Sequence, residues 1–135
     1  MTDVRTILIT ALTAALATAT GRKVYGDMPI QLEGTKVYPH ISISDVLVQE
    51  EGPKNAYHYN ANVLIEIVHK NLASMSTMHN DLNNALGIVN NAVPFALASP
   101  YSIMDCKLNT TTTSKATADK GLVDVGIIRL IFRIK

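Results

Sequence analysis

The most regular alternation of hydrophobic and polar positions lies in residues 37–69, where two arms flank one polar turn. Side chains alternate across a strand, so a period of two with one apolar side indicates a strand that is buried on one face. The turn at residues 50–56 carries a Gly-Pro pair and two acidic residues, which is typical of a hairpin. The pattern therefore predicts a long β-hairpin. The apolar side of its second arm consists of Tyr57, Tyr59, Ala61, Val63, Ile65 and Ile67.

The second side of this hairpin is only partly polar. Alternation in the first arm places Ile41, Ile43 and Leu47 on one side. Monomeric proteins rarely expose large contiguous apolar patches, so we expect helices of the same chain to cover that side and a neighbouring chain to cover the other. The apolar residues predicted on the side that faces a neighbour are Val46, Val48, Leu64 and Val68.

Helical spacing of apolar residues appears in two segments. Residues 3–19 repeat apolar positions at i, i+3, i+4 and i+7, and Gly21 follows as a helix stop. A second helix begins at Ser74 or Ser76, because serine is a favourable N-cap. The predicted buried stripes are Val4, Ile7, Leu8, Ala11, Leu12, Ala15 and Leu16 in the first helix and Met75, Met78, Leu82, Ala85, Leu86 and Val89 in the second.

Three further segments, residues 22–25, 103–113 and 122–135, have the pattern of strands, and a polar turn is predicted at residues 114–121. Strands that are split around helices and joined as hairpins predict an antiparallel sheet of about four to five strands with two helices packed on one face. The expected architecture is thus a single α+β domain over residues 1–135. The predicted buried positions of the last two strands are Met104, Cys106, Leu108, Ile128, Leu130, Phe132 and Ile134.

Composition bears on function more than on fold. Hydrophobic residues make up 47% of the chain and charged residues 17%, which excludes a disordered chain and favours an obligate assembly. The net charge of +1 is too small to attract nucleic acid strongly. Residues 1–68 hold 5 basic and 7 acidic side chains, a net −2, and residues 69–135 hold 7 basic and 4 acidic, a net +3. This asymmetry suits head-to-tail packing of identical subunits.

The N-terminal segment has two interpretations. Arg5, the apolar stretch after it and the small residues 17–19 imitate a secretory signal with its cleavage site. Asp3 in the region that should be basic, the interrupting threonines and the helical spacing all argue against export. We therefore expect a retained amphipathic helix. No apolar run approaches the roughly 20 residues of a membrane-spanning helix, so no membrane is expected as a partner.

Residues with catalytic or ligand chemistry are present without a recognised motif around them. Ser42, Ser44 and Asp45 lie near His40, but no nucleophile-elbow context surrounds them. Cys106 alternates with core positions and is expected to be a small buried hydrophobe. We therefore predict no catalytic residue, no metal and no cofactor. The histidines, which form no pair at metal-binding helical spacing, are His40, His58, His69 and His79.

Four segments in order carry a family resemblance. Gly-Arg-Lys-Val-Tyr-Gly-Asp at 21–27 follows the first helix, and Tyr-Pro-His-Ile-Ser-Ile at 38–43 opens the sheet. Asn-Val-Leu-Ile-Glu-Ile at 62–67 precedes the second helix, and Gly-Ile-Ile-Arg-Leu-Ile-Phe at 126–132 closes the chain. This layout resembles the tail completion, or tail terminator, proteins of long-tailed bacteriophages, and the resemblance covers nearly the whole chain.

The resemblance implies a structural virion protein and not an enzyme. Subunits of such proteins form a ring, usually hexameric, that caps the tail tube, ends its polymerisation and joins it to the head. The implied partners are other copies of the chain, the tail tube protein and the head–tail connector or neck proteins, with DNA passing through the lumen as cargo. The implied location is the tail or neck of the virion, and the host cytoplasm during assembly.

The hairpin tip, the second side of the hairpin and the basic last strand are expected at subunit or partner interfaces. Three alternatives stay open: a neck or head-completion protein from the head side of the same joint, a small metal-dependent enzyme that uses the histidines, and a monomeric binding module. The residues expected at interfaces are Glu50, Glu51, Lys54, Val46, Val48, Leu64, Val68, Arg129 and Arg133.

Overall fold

The two predicted hairpins form parts of a single sheet, in which a strand of the first hairpin pairs with a strand of the second. The computed structural model describes residues 4–26, 39–50, 59–70, 76–89, 95–98, 100–118 and 121–135. The elements in chain order are α1 (Val4–Thr20), β1 (Lys23–Gly26), β2 (His40–Glu50), β3 (Tyr59–Lys70), α2 (Ser76–Leu86), β4 (Ile103–Ala118) and β5 (Gly121–Ile134).

The strand order is β1-β2-β3-β5-β4, so β3 lies at the centre between β2 and β5. These central pairs and the β4–β5 pair are antiparallel, whereas β1 runs parallel to β2. The α+β class is confirmed, and the sheet is mixed because of that single edge pair. The sequence could not specify this direction, since parallel and antiparallel pairing of a four-residue strand both alternate its side chains.

Both helices pack on the same face of the sheet, as predicted. A side-chain carbon at Gly126 of β5 would lie 2.7 Å from Met78 Sδ of α2, and one at Gly26 of β1 would lie 2.9 Å from Ile9 of α1. Glycine at these positions lets each helix approach the strand closely. The buried residues on the sheet side of this core are Ile41, Ile43, Ala61, Val63, Ile65, Ile67, Ile128, Leu130, Phe132 and Ile134.

The first helix follows its predicted stripe. Leu8, Leu12 and Leu16 are fully buried, and the segment contributes directly to the core. Its end is also as predicted: Gly21 adopts φ 70°, and its amide donates to the Ala17 carbonyl at 2.9 Å. The left-handed conformation strains a residue with a Cβ, so glycine ends the helix here. The expectation of an amphipathic helix at this position is confirmed.

A β-bulge in β2 explains why the first arm is apolar on both sides. Ile43 pairs with Ile65, but Asp45 pairs with Leu64, so Ser44 is an extra residue that reverses the alternation. Val46 and Val48 therefore pack against the core, and Leu47 points away from it. The sequence analysis placed these residues on the opposite sides, which is wrong, because it assumed unbroken alternation.

The last hairpin is longer than predicted. Residue 114 pairs with Val125, β4 continues to Ala118 and β5 begins at Gly121, so the predicted bounds of the turn, residues 114–121, are wrong. Threonine, lysine and alanine extend the strand because β5 offers a continuous set of backbone partners. Met104 and Leu108 are also misassigned, since both are exposed, whereas the predicted burial of the alternate positions from Ile128 to Ile134 is confirmed.

Candidate interaction surface

A buried polar cluster lies at the end of the core where α2 meets the sheet. Asp81 of α2 accepts a hydrogen bond from His69 Nε2 at 2.6 Å. Arg22 donates from Nε to the same carboxylate at 3.2 and 3.3 Å, and Asp124 is fully buried on the strand position opposite His69. A carboxylate that is removed from water in this way requires such partners. The cluster joins the start of β1, strand β3 and α2.

This cluster contains groups that could transfer a proton, but a substrate cannot reach them. The His69 side chain is 4% exposed and the Asp81 side chain 5%, so a substrate atom has no approach to the imidazole in this conformation. A general base must lie within hydrogen-bond reach of the proton that it removes. The arrangement therefore serves to attach helix to sheet.

The other histidines are distributed over the fold. His40 is buried beside Tyr25, with ring centroids 5.5 Å apart in a T-shaped contact. His79 is exposed on α2, and His58 lies outside the described residues. Register places His40 opposite Val68, at the far end of the hairpin from Tyr59. Among the residues whose placement is described, no three of His, Cys, Asp and Glu come together as metal ligands.

Cys106 lies on the helix-facing side of β4 and is half-buried. Burial raises the pKa of its thiol to about 12, and the charge of the neighbouring Asp105 contributes in the same direction. Because the thiolate is the nucleophilic form, the side chain is unreactive at neutral pH. A cavity of about 250 Å³ lies beside it, lined by residues that include Ile88, Phe95 and Phe132.

The face of the sheet opposite the helices, here called the open face, mixes apolar and charged side chains. Leu64, Ile127 and Ile131 are partly exposed on it, and Arg129 is exposed. A shallow depression of about 120 Å³ lies between residues that include Leu47, Leu64 and Arg129. Such a surface, apolar with charges interspersed, has the composition of a protein–protein contact.

A row of polar side chains crosses the open face near the hairpin end. Asn60, Arg133 and Asp105 occupy neighbouring positions on β3, β5 and β4. Arg133 donates from Nη1 to Asp105 Oδ2 at 3.4 Å. Asn60 Oδ1 and Asp105 Oδ1 are buried acceptors without a donor in the described part of the chain. Buried acceptors are normally satisfied, so this row requires hydrogen-bond donors from outside those residues.

Two strand edges complete the surface. β1 pairs only with residues 40–43 of β2, so in the described ranges no strand pairs with the same side of residues 44–50. β4 is the opposite edge, and again no described strand pairs with its outer side. In the described part of the chain, the exposed large hydrophobic residues all lie on these two edge strands: Leu47 at 54%, Met104 at 49% and Leu108 at 41%.

The residues that the sequence analysis expected at interfaces fall into separate groups. Leu64, Arg129 and Arg133 share the open face, and Val68 lies on the same face but is buried in a small cluster with Val125 and Ile127. The structure thus brings together the apolar residues of the second arm and the basic residues of the last strand.

The remaining expected interface residues lie elsewhere. Val46 and Val48 face the helices, because the bulge at Ser44 reverses the alternation of β2. Glu50 is exposed at the end of β2, and Glu51 and Lys54 lie outside the described residues.

Sequence reasoning missed the exposed hydrophobic residues of the edges. Leu47 was assigned to the core because the bulge at Ser44 has no local sequence signal. Met104 and Leu108 were assigned to the core because alternation indicates which side a residue faces but not whether that side is covered. A strand at the edge of a sheet has the same local pattern as one at its centre.

Comparison with known proteins gives a similarity at the level of the fold. No protein-family model matches it, and neither does any curated protein. Among solved structures, a chain of the virion of a native gene transfer agent particle is similar over 100% of both chains, with a TM-score of 0.67 and 12% sequence identity. At this identity the similarity shows a shared fold. In the parts of the chain described, no helix is long and apolar enough to cross a membrane.

Proposed function

We propose that the chain is a structural virion protein whose subunits form a hexameric ring that caps the tail tube, ends tail polymerisation and joins the tail to the head connector. The observation that carries the proposal is the similarity over the full length of both chains to a chain of a gene transfer agent virion. The order of sequence segments that resembles tail terminator proteins supports it independently, because that resemblance uses the sequence alone.

The surface chemistry also supports an assembly role. The open face combines Leu64 and Ile131 with Arg129, and the edges carry three exposed hydrophobic residues. Long strands with uncovered edges favour pairing with another chain, and soluble proteins normally protect them. A ring that covers these edges removes that liability. The other partners would be the tail tube protein and the connector or neck proteins, with DNA as cargo in the lumen.

A metal-dependent enzyme built on the histidines has no comparable support. The two buried histidines of the described ranges are each engaged within the fold, His40 with the Tyr25 ring and His69 with Asp81. A neck protein from the head side of the same joint remains the second candidate, because the virion similarity supports both sides of the joint equally.

Loss of the gene in the phage that encodes the chain distinguishes these two candidates. A terminator ends polymerisation, so its loss should give tails of irregular and excessive length beside unattached heads. A head-side neck protein acts after the tail is complete, so its loss should leave tails of normal length. Electron microscopy of the lysate measures tail length directly. Normal particles in normal yield would contradict both candidates.

Charge reversal tests the expected interface residues. Arg129→Glu and Glu50→Lys change exposed side chains of the open face and the hairpin end, so the monomer should keep its stability while ring formation or tail joining falls. Lys135→Glu, at the exposed last residue, is the matched control. Native mass spectrometry and counts of joined particles are the measurements. Unchanged assembly of both variants would remove these positions from the interface.

A further inference from the structure

We propose that the sheets of neighbouring subunits are continuous: β4 of one copy pairs antiparallel with residues 44–50 of β2 in the next copy. The inference rests on the proposed ring, for which it names the strands that meet. It concerns the two edges left without strand partners in the described residues. An edge strand presents a row of backbone donors and acceptors that a strand of another chain can satisfy.

The two edges occupy the same positions along the strand direction. Two residues are called level here when paired positions of β3 and β5 connect them across the sheet. In this sense Glu50 is level with Ile103, and Asp45 is level with Thr110. The uncovered part of β2 therefore matches the first half of β4 without an offset. Residues 111–114 of β4 are level with residues 40–43, which β1 already covers.

The directions of the strands also fit a closed assembly. β2 is antiparallel to β3, β3 to β5 and β5 to β4, so β4 and β2 run in opposite directions within one copy. Rotation about an axis along the strands preserves direction and height, so it places β4 antiparallel to β2 of the next copy. A head-to-tail contact repeated by rotation closes into a ring.

The side chains at matched heights are complementary. On the helix side, Leu108 is level with Val46, and both are apolar. On the open face, Lys107 is level with Leu47, so its methylene stem can cover the exposed leucine while its ammonium group lies near Asp45 of the same neighbour. The contact would bury hydrophobic residues from both edges.

Two polar groups at the edges are consistent with this pairing. Asp105 Oδ1 is a buried acceptor without a donor in the described ranges, and it is level with Gln49, whose amide can donate. On the β2 edge, Arg5 Nε donates to the Val46 carbonyl at 3.4 Å in an exposed contact. In the single chain, the Val46 carbonyl is therefore held by the side chain of Arg5. This side chain can move aside when a strand of a neighbouring copy pairs with β2.

Disulfide trapping tests the pairing. Leu47→Cys with Lys107→Cys, in a Cys106→Ser background, places two exposed thiols directly opposite each other across the proposed contact. Opposed residues in antiparallel strands have Cα atoms about 4.5–5.5 Å apart, within the range that a disulfide spans. Leu47→Cys with Thr112→Cys is the matched control, because Thr112 is exposed on the same strand and face but four paired positions, or about 13 Å, further along the sheet.

Oxidation of the first variant should give a ladder of covalent multimers on a non-reducing gel, at least tenfold above the control, and reductant should remove it. The mass of the Cys106→Ser protein under native conditions is measured in parallel. A native oligomer without this ladder overturns the strand pairing and leaves the ring intact. A monomer without a ladder overturns both proposals. A ladder that is equal in the control reflects random collision and overturns the pairing.

A charge swap gives an independent test. Lys107→Glu should weaken association about fivefold, since an exposed ion pair contributes up to about 1 kcal/mol. Asp45→Lys in the same chain should restore the association, because the two charges are then exchanged across the contact. Sedimentation equilibrium measures both. Association that is unchanged by Lys107→Glu, or that is not restored by the second substitution, would contradict the proposed neighbours.

Discussion

At the scale of single residues, Asp81 is the side chain on which the attachment of α2 most depends. It receives hydrogen bonds from His69 and Arg22 while only 5% of its side chain is exposed. Asp81→Asn should lower the free energy of unfolding by about 2–4 kcal/mol, because the Arg22 guanidinium loses its negative partner and the amide keeps only one of the two acceptor oxygens in the buried network. Urea unfolding measures this. Asp105→Asn is the control: its ion pair with Arg133 is partly open to solvent, with side chains 41% and 34% exposed, so the substitution should cost less than about 1 kcal/mol.

Cys106 provides a prediction about pH. Because burial raises the pKa of its thiol to about 12, the thiolate fraction in the folded protein keeps increasing well above pH 9. The rate of alkylation by iodoacetamide should therefore rise about tenfold per pH unit between pH 8 and 10.5 without a plateau. In urea, where the pKa returns to an ordinary value of about 8.5, the rate should level off. A plateau near pH 9 in the folded protein would contradict the raised pKa.

At the scale of elements, the bulge decides which residues of β2 reach the core. Deletion of Ser44 should remove the bulge and leave Ile43, Val46 and Val48 together on the helix side, because Ile43 and Val46 are then two positions apart. Both valines keep their burial, so we expect the free energy of unfolding to change by less than about 1 kcal/mol. Ser44→Ala keeps the residue count and removes only an exposed hydrogen bond to Glu66, so it should have little effect. A loss of more than about 2 kcal/mol in the deletion, without a similar loss in the alanine variant, would contradict this and show that β2 needs the bulge itself.

The elements also show why an edge strand is difficult to predict from its own sequence. β4 and β5 have similar lengths, yet β5 lies between β3 and β4 and is buried on one face, whereas β4 carries exposed Met104 and Leu108. The difference comes from their neighbours in the sheet. Alternation in either strand reports only the period of its side chains.

At the scale of the whole molecule, the strand order predicts a gradient of local stability. β3 has a strand on both sides and a helix over one face, so its amides should exchange with solvent more slowly than those of β1 and β4. Hydrogen exchange followed by mass spectrometry measures this in the dissociated chain. Upon assembly, protection should increase in residues 44–50 and 103–110 if the proposed edges meet. Fastest exchange in β3 would contradict the strand order.

The sequence by itself determined the elements and the side of most of them that is buried. The helix stop at Gly21 and the alternation of β3 and β5 depend on local conformation and on hydrophobic periodicity, and each was confirmed. The α+β class followed from the order of these elements. The sequence also identified the titratable residues, but not which of them would lie in contact. Nothing in the sequence links Arg22, His69 and Asp81, because they are distant along the chain.

Only the tertiary structure decided the parallel direction of β1, the bulge at Ser44 and the place of β4 at the edge. Each depends on pairing between segments that are far apart in sequence, and backbone hydrogen bonds carry no side-chain signature that selects one partner. The exposure of Leu47, Met104 and Leu108 follows from the same pairings. The open face and the two edges, on which the proposed assembly rests, are therefore properties of the folded sheet.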